Sequence, residues 1–359
     1  GWLAYLLYDF YGPITIADLQ TLKDPMAEKI LPRLSEEEMQ TYIETELTEA
    51  SKILPANYKK GDKNYGRFTA GLAHTVLLKL YMLTKQWDKA EAEGRELMKP
   101  EYGFELVPEY KDIFTLANEK NPEIIWACQC AKGYQEHKWQ PHVLPNDYNF
   151  TPYLDKMTKW NGYKISWSFM HTFDPEDKRL LTIASEYTSK DGVVHNEKND
   201  SQDPSAQLYL GAVPLKYEFD PDCTGEDSQI DWIIYRYADV LTLTAEAIVR
   251  NKNAVTKEAV DLLNEVRTRS LPGKGYSLQD LNSVDKFLKA VLDERGWELY
   301  FEGNRRQDLI RYGIFVETIK KKAQSMGKQT LVDENRHRFP IPQSIIDEGK
   351  GVIEQNPGY

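Results

Sequence analysis

The sequence predicts a mainly α fold: tetratricopeptide-like helical hairpins form a scaffold, and a long loop-rich insertion containing short strands interrupts them. Three observations predict it. Apolar residues recur every three or four positions through both ends of the chain. Two stretches repeat one plan, a large apolar helix, a short break, and a second helix with an early alanine. Residues 131 to 235 lose that period and carry Gly, Pro, Asn and Asp at short intervals.

Taken in order, the opening "GWLAYLLYDFYGP" reads as the interior of an amphipathic helix. It has neither a basic start nor a small-residue cleavage site, so the expectation is that the natural N-terminus, with any targeting signal, lies upstream. Ser35 and Glu38 have capping-box spacing, and Met39, Ile43, Leu47 and Ala50 form the stripe of a helix that Pro55 follows. From Phe68 to Thr84 only Lys79 carries a full charge, which predicts a helix buried on most sides. After a break at residues 85 to 87, "DKAEAEGRELMK" predicts its more polar partner. The plan returns at Arg236 to Arg250 and Lys257 to Arg269, and a third pair, Val284 to Phe301 and Arg306 to Ala323, is expected to stack on these. Between the pairs, "EIIWACQC" and "SAQLYLGAVPLKYEF" predict short strands. The organisation expected is one domain over 1–359, with a helical scaffold (1–130), a loop-rich ligand-binding insertion (131–235), and a C-terminal scaffold and tail (236–359).

Composition narrows the function. A net charge of -11 with no Lys/Arg-rich patch argues against nucleic acid, which requires a basic footprint. Cys128, Cys130 and Cys223 have neither disulfide-framework nor zinc spacing. No apolar run reaches the roughly 18 residues that span a bilayer.

In order along the chain, "LYDFYGPITI", "PRLSEEEMQTYIETELTEASKILP", "NYGRFTAGLAHTVLLKLYMLTKQWDKA", "FTLANEKNPEIIW", "FDPEDKRLLTI", "LKYEF", "RYADVLTLTAEAI", "LNEVRTRS", "DERGWELYFEGNRRQDLIRYG" and the terminal "QNPGY" follow a pattern that resembles the SusD/RagB family of Bacteroidetes outer-membrane nutrient-binding lipoproteins. The resemblance covers nearly the whole chain, and its specific parts are "ERGWELYFEGNRRQDLIRYG" and "QNPGY". It implies a non-catalytic protein on the cell surface, held in the outer membrane by a lipid anchor absent from this chain. Its partners would be an oligosaccharide and a SusC-like TonB-dependent transporter. Family members begin with a lipidated cysteine and a further helical section ahead of the part matched here. A peptide ligand, as some family relatives take, and a helical-repeat interaction scaffold without a small ligand are the alternatives.

The residues supply a candidate site for such a ligand. Sugar rings stack their C–H faces on flat side chains, so a carbohydrate site is an aromatic platform edged by amides and carboxylates. The insertion holds Tyr134, Trp139, Tyr148, Phe150, Tyr153, Trp160, Tyr163 and Trp167, with Asn146, Asp147, Asn161 and Lys164 as an edge. The residues expected to bind are Trp139, Tyr148, Trp160, Tyr163, Asn146, Asp147 and Asn161. Trp160, between Lys159 and Asn161, is expected to be exposed, and Trp126 and Trp167 to be core.

Other features read as structural. Asp220, Asp222, Thr224, Gly225 and Asp231 occupy the first, third, fifth, sixth and twelfth places of a calcium loop. No helix precedes them, Asp227 stands at a usually apolar place and the last ligand is the shorter Asp, so the expectation is a solvated acidic turn. No metal and no cofactor are expected. Nucleophile-elbow, zincin and phosphate-loop motifs are missing, and the six histidines have no metal spacing. His171 beside Asp174 and Asp177 reads as part of a structural turn leading to a short strand. In "YFEGNRRQDLIRYG", Gly303 is expected to end a helix so that Arg305 and Arg306 fold back towards Glu298, Glu302 and Asp308, with Trp297, Tyr300 and Phe301 packed inward.

Overall fold

Helix signals in the sequence become helices with few changes. The computed structural model describes residues 1–23, 26, 29–148 and 156–359. Along the chain run α1 (Trp2–Tyr11), α2 (Glu36–Ile53), α3 (Ala70–Leu83), α4 (Trp87–Leu97), β1 (Ile124–Cys128), α5 (Trp139–Val143), β2 (Ile183–Ala184), β3 (Glu186–Thr188), β4 (Val194–Asn196), β5 (Val213–Pro214), β6 (Trp232–Arg236), α6 (Tyr237–Lys252), α7 (Lys257–Ser270), α8 (Val284–Glu298), α9 (Arg305–Arg311) and α10 (Phe315–Ser325), with shorter turns between. The protein is mainly α, with only short two-stranded ladders: β1 with β6, β2 with β5 and β3 with β4, all antiparallel. No helix among the described residues is long and apolar enough to cross a membrane.

Contacts divide the chain into two compact units: Gly1–Ala56, Phe68–Lys99 and Gly303–Tyr359 form the first, and Asn57–Arg67 and Pro100–Glu302 the second. In the first, the capping box at Ser35 forms as read, each partner bonding the other's main chain. Thr69 caps α3, whose residues are buried almost throughout. The terminal "QNPGY" is stitched back onto the unit. Asn356 donates to the carbonyls of Tyr11 and Phe339 at 2.9 and 2.8 Å and accepts from Arg33 at 2.9 Å. Gln355 closes a two-way bond with the Ile341 main chain.

In the second unit, α6 and α7 form the expected hairpin. Asn253 takes a left-handed conformation (φ +48°) at the end of α6, and Thr256 caps α7. α8 packs on both. The expected third pair is not a hairpin. α8 belongs to the second unit, the chain turns at Gly303 (φ +79°), and α9 packs on α3 in the first. Gly313 (φ +71°) then separates α9 from α10, so the single helix expected from Arg306 to Ala323 is two.

The charge cluster around "YFEGNRRQDLIRYG" is likewise paired differently from the reading. Glu298 and Glu302 are met by Arg236, at 2.5 and 2.7 Å, and by Arg269, Arg179 and Lys216. Glu123, Glu294 and Asp177 complete a buried network. Burial pushes the Glu298 carboxyl up, but Arg269, Arg236 and Arg179 overcome it and hold the group well below the usual carboxylate range. Arg306 instead pairs with Asp9 at 2.9 Å, and Asp308 with Arg311 at 2.7 Å. Trp297, Tyr300 and Phe301 do pack on the core, as expected. For Glu298 and Glu302 the reading named the wrong cations, because the true partners lie 29 to 119 residues away in sequence.

Candidate functional site

The aromatic cluster of the second unit is organised by one short helix. α5 begins at Trp139, and its C-terminal carbonyls have no intrahelical partner. The segment that returns from residue 160 supplies them: Trp160 N–H donates to Pro141 O, Asn161 N–H to Leu144 O, and the N–H groups of Gly162 and Tyr163 both donate to His142 O at 2.8 Å. Lys164 Nζ adds a longer bond, 3.3 Å, to Val143 O. Burial alone lowers its ammonium to about 8. Asn161 takes φ +53° at the tip of this return, and a methyl on Gly162 would meet His142 O at 3.0 Å. Such tight capping fixes the direction of the two rings that flank the turn.

Those rings are the reachable part of the site. Trp160 is 39% and Tyr163 48% exposed, and His142 stands between them with ring centroids at 4.7 and 5.0 Å. The Lys138 ammonium, paired with Glu226 at 2.6 Å, lies 6.0 Å from the Trp160 ring centre. Phe301 and Trp139 support Tyr163 from the core, at 6.2 and 6.4 Å.

Trp139 and Tyr148, expected to bind ligand, are instead buried. Trp139 is 7% exposed and packed edge-on against Phe301 and Tyr217, and Tyr148 is packed at 4.9 Å on Tyr187. Neither offers a free ring face, because the loops around them fold inward on a core of aromatics. Trp167 and Trp126 are only partly buried, and both use their indole N–H on main-chain carbonyls. Tyr134 is 93% exposed and has no ring partner among the described residues. Phe150 and Tyr153 lie outside the described residues.

Asn146 and Asp147 line a cleft of about 260 Å³ with Met157, Lys159 and Lys190. Asp147 is held from two sides, by the Tyr187 hydroxyl at 2.6 Å and by His195 Nε2 at 3.0 Å, while His195 Nδ1 meets Asp200 at 2.8 Å. Asn161 donates to Gln207 O, and its own Oδ1, Gln207 Oε1 and Trp139 Nε1 are buried without a hydrogen-bond partner.

Sequence reasoning missed His142, Lys138, His195 and Gln207. No local signal marks His142 for ring stacking, and none links Gln207 to Asn161, 46 residues apart. The loop from Asp220 to Asp231 is only partly a solvated turn, with Asp222 and Thr224 exposed and both end carboxylates buried. Asp220 is buried and accepts from the N–H groups of Asp222 and Gln229, and Asp231 is buried on a different set of partners. Among the described residues no three His, Cys, Asp or Glu side chains converge on a metal position.

Known proteins resemble this chain over most of its length. Residues 217–359 match the model of the SusD family. SusD-like protein P25 of Formosa agariphila is 25% identical over 92% of the chain and 66% of its own length. The starch-binding protein SusD of Bacteroides thetaiotaomicron is 25% identical over 90% of the chain and 65% of its own length. The chain thus spans about two thirds of these relatives. Among solved structures, surface glycan-binding protein A of Bacteroides thetaiotaomicron in complex with laminarihexaose superposes with a TM-score of 0.75 at 19% identity, covering 98% of this chain and 74% of that one. Surface glycan-binding protein A of Bacteroides fluxus reaches 0.78 at 20% identity, covering 100% of this chain and 76% of that one. In its matched C-terminal segment, its sequence relatives and its fold, the chain is similar to proteins of the SusD family.

Proposed function

We propose that the chain is a non-catalytic, cell-surface glycan-binding protein that delivers an oligosaccharide to a SusC-like TonB-dependent transporter of the outer membrane. The observation that carries the reading is the exposed Trp160–His142–Tyr163 array, fixed by the capped turn beneath it. Flat rings held at low entropic cost accept the C–H faces of sugar rings. Asn146 and Asp147, a short way along the chain, supply hydroxyl partners, and Asn161 contributes through the turn it forms. No bond is made or broken; affinity and release do the work. The relative named for starch binding, and the neighbouring fold bound to laminarihexaose, support a glycan over a peptide. Lipid anchoring and the transporter partner rest on the family alone.

Tryptophan fluorescence titrated with a panel of oligosaccharides and short peptides tests it. One glycan class should give a saturable response whose affinity falls at least tenfold, about 1.4 kcal/mol, in Trp160→Ala. A response to peptides alone, or unchanged glycan affinity in the variant, would sink the reading.

A further inference from the structure

In the first unit, α10 is a helix of 11 residues with no buried side chain. A surface helix of that length normally sinks an apolar stripe into its domain. α10 has the stripe: Phe315, Val316, Ile319 and Ala323 fall on one side at steps of three and four residues, yet each stays only half-buried. Its contacts are slight. Phe315 meets the His337 ring at 5.5 Å, and the helix leans on α9 across the turn at Gly313.

The same geometry sorts the charges. At about 100° per residue, Lys320 and Lys322 stand on the two edges of the stripe, while Glu317 and Lys321 close an ion pair on the far side. Around Gly327 (φ +65°) the Lys328 N–H returns to Ala323 O at 2.8 Å, which sets Met326 and Lys328 beside the last turn. Lys320, Lys322 and Lys328 are exposed and form no ion pair among the described residues. Apolar side chains stand out among them, Met326 at 43% and Leu331 at 92% exposed. Residues 315–332 thus hold four lysines against one glutamate, in a chain whose net charge is -11.

We propose that α10 and the turn after it form a docking face for an anionic lipid surface. Three features select that occupant. Lysines along the edges of an apolar stripe keep their ammonium groups at headgroup level while their stems cover apolar surface. Each of them gains attraction from an anionic leaflet that a neutral one does not supply. Met326 and Leu331 protrude singly, which suits insertion between headgroups better than a protein partner, whose apolar contacts gather in one packed core. The acidity of the chain fixes the orientation, because the headgroups that attract these lysines repel the net charge of the remainder. The inference rests on the cell-surface reading only for the presence of such a leaflet; the affinity is a property of this face.

The test is co-sedimentation of the whole chain with sucrose-loaded vesicles of phosphatidylcholine, alone or with about 30% phosphatidylglycerol. The chain should partition onto the anionic vesicles and stay in solution with the neutral ones, and raising sodium chloride from about 0.05 to 0.5 M should release it. Lys320→Glu, Lys322→Glu and Lys328→Glu together should lower partitioning at least about tenfold, and Leu331→Ser alone about threefold. All four side chains are exposed, so the variants should melt with the wild type, which separates lost binding from lost folding. Equal partition onto both kinds of vesicle, none onto either, or unchanged partition of the triple variant would overturn the proposal. So would capture of soluble poly-glutamate with the vesicles ignored, which assigns the face to an acidic protein. Glycan affinity of the triple variant should equal that of the wild type, so this face and the aromatic platform fail separately.

Discussion

Arg236 is the residue whose loss should reveal how the second unit is held together. Its guanidinium is fully buried, 2.5 Å from Glu298, 2.7 Å from Glu302 and 2.8 Å from Glu123, and donates again to Glu298 O at 2.7 Å. Replacing it by Met keeps the volume and leaves three carboxylates one cation short. Removing one partner of a buried pair costs about 3–5 kcal/mol. Here Arg269 stays on Glu123 and Glu298, Arg179 on Glu298 and Lys216 on Glu302, so the loss should fall near 3 kcal/mol. Urea unfolding followed by tryptophan emission reports on this unit, which holds six of the eight tryptophans (126, 139, 160, 167, 232 and 297). With a slope of about 2–3 kcal/mol/M the midpoint should drop by about 1–1.5 M. The pH dependence gives a second check. Glu298 and Glu302 sit below their ordinary value of 4.5 in the folded state, so their stabilisation is present above that pH and is lost as the pH falls through and below it. Protonated carboxylates no longer need the guanidinium, and the gap between wild type and Arg236→Met should narrow in that window. A loss under about 1 kcal/mol at neutral pH, or a gap that widens in acid, would refute the reasoning.

Gly211→Ala should cost more than about 2 kcal/mol or prevent folding of the second unit. The glycine sits at φ +146°, where an added methyl would lie 1.8 Å from Ile165 O, and soluble yield and melting would register it. In the first unit, Ser35→Ala removes the capping box and should cost about 1 kcal/mol by denaturant unfolding. Asn356→Ala strips three hydrogen bonds from the tail, and hydrogen exchange over residues 339–359 should accelerate while that of α6 and α7 stays unchanged.

What the sequence made legible follows from the range of the forces involved. Capping and helical periodicity act within four residues, so the Ser35 box, α3 and the α6–α7 hairpin could be read directly. The break at Gly303 could be seen too, but not that the chain changes unit there, since nothing local distinguishes a hairpin turn from a departure. The site divides along the same line. The exposure of Trp160 could be read because polar neighbours on both sides leave a large ring little to bury against. Trp139 was misread because its burial depends on Phe301, Tyr217 and Trp232, residues 78 to 162 positions distant that only the folded chain brings to it. The same distance dependence explains the charges. "ERGWELYFEGNRRQ" advertises carboxylates next to arginines, yet Glu298 and Glu302 take cations from four other segments. Buried charge demands geometry that neighbours on one turn cannot supply, and this stretch records half of a network whose other half is Arg179, Lys216, Arg236 and Arg269. That makes the motif part of a buried scaffold network, and the glycan platform proposed above lies instead on the rings held beside α5.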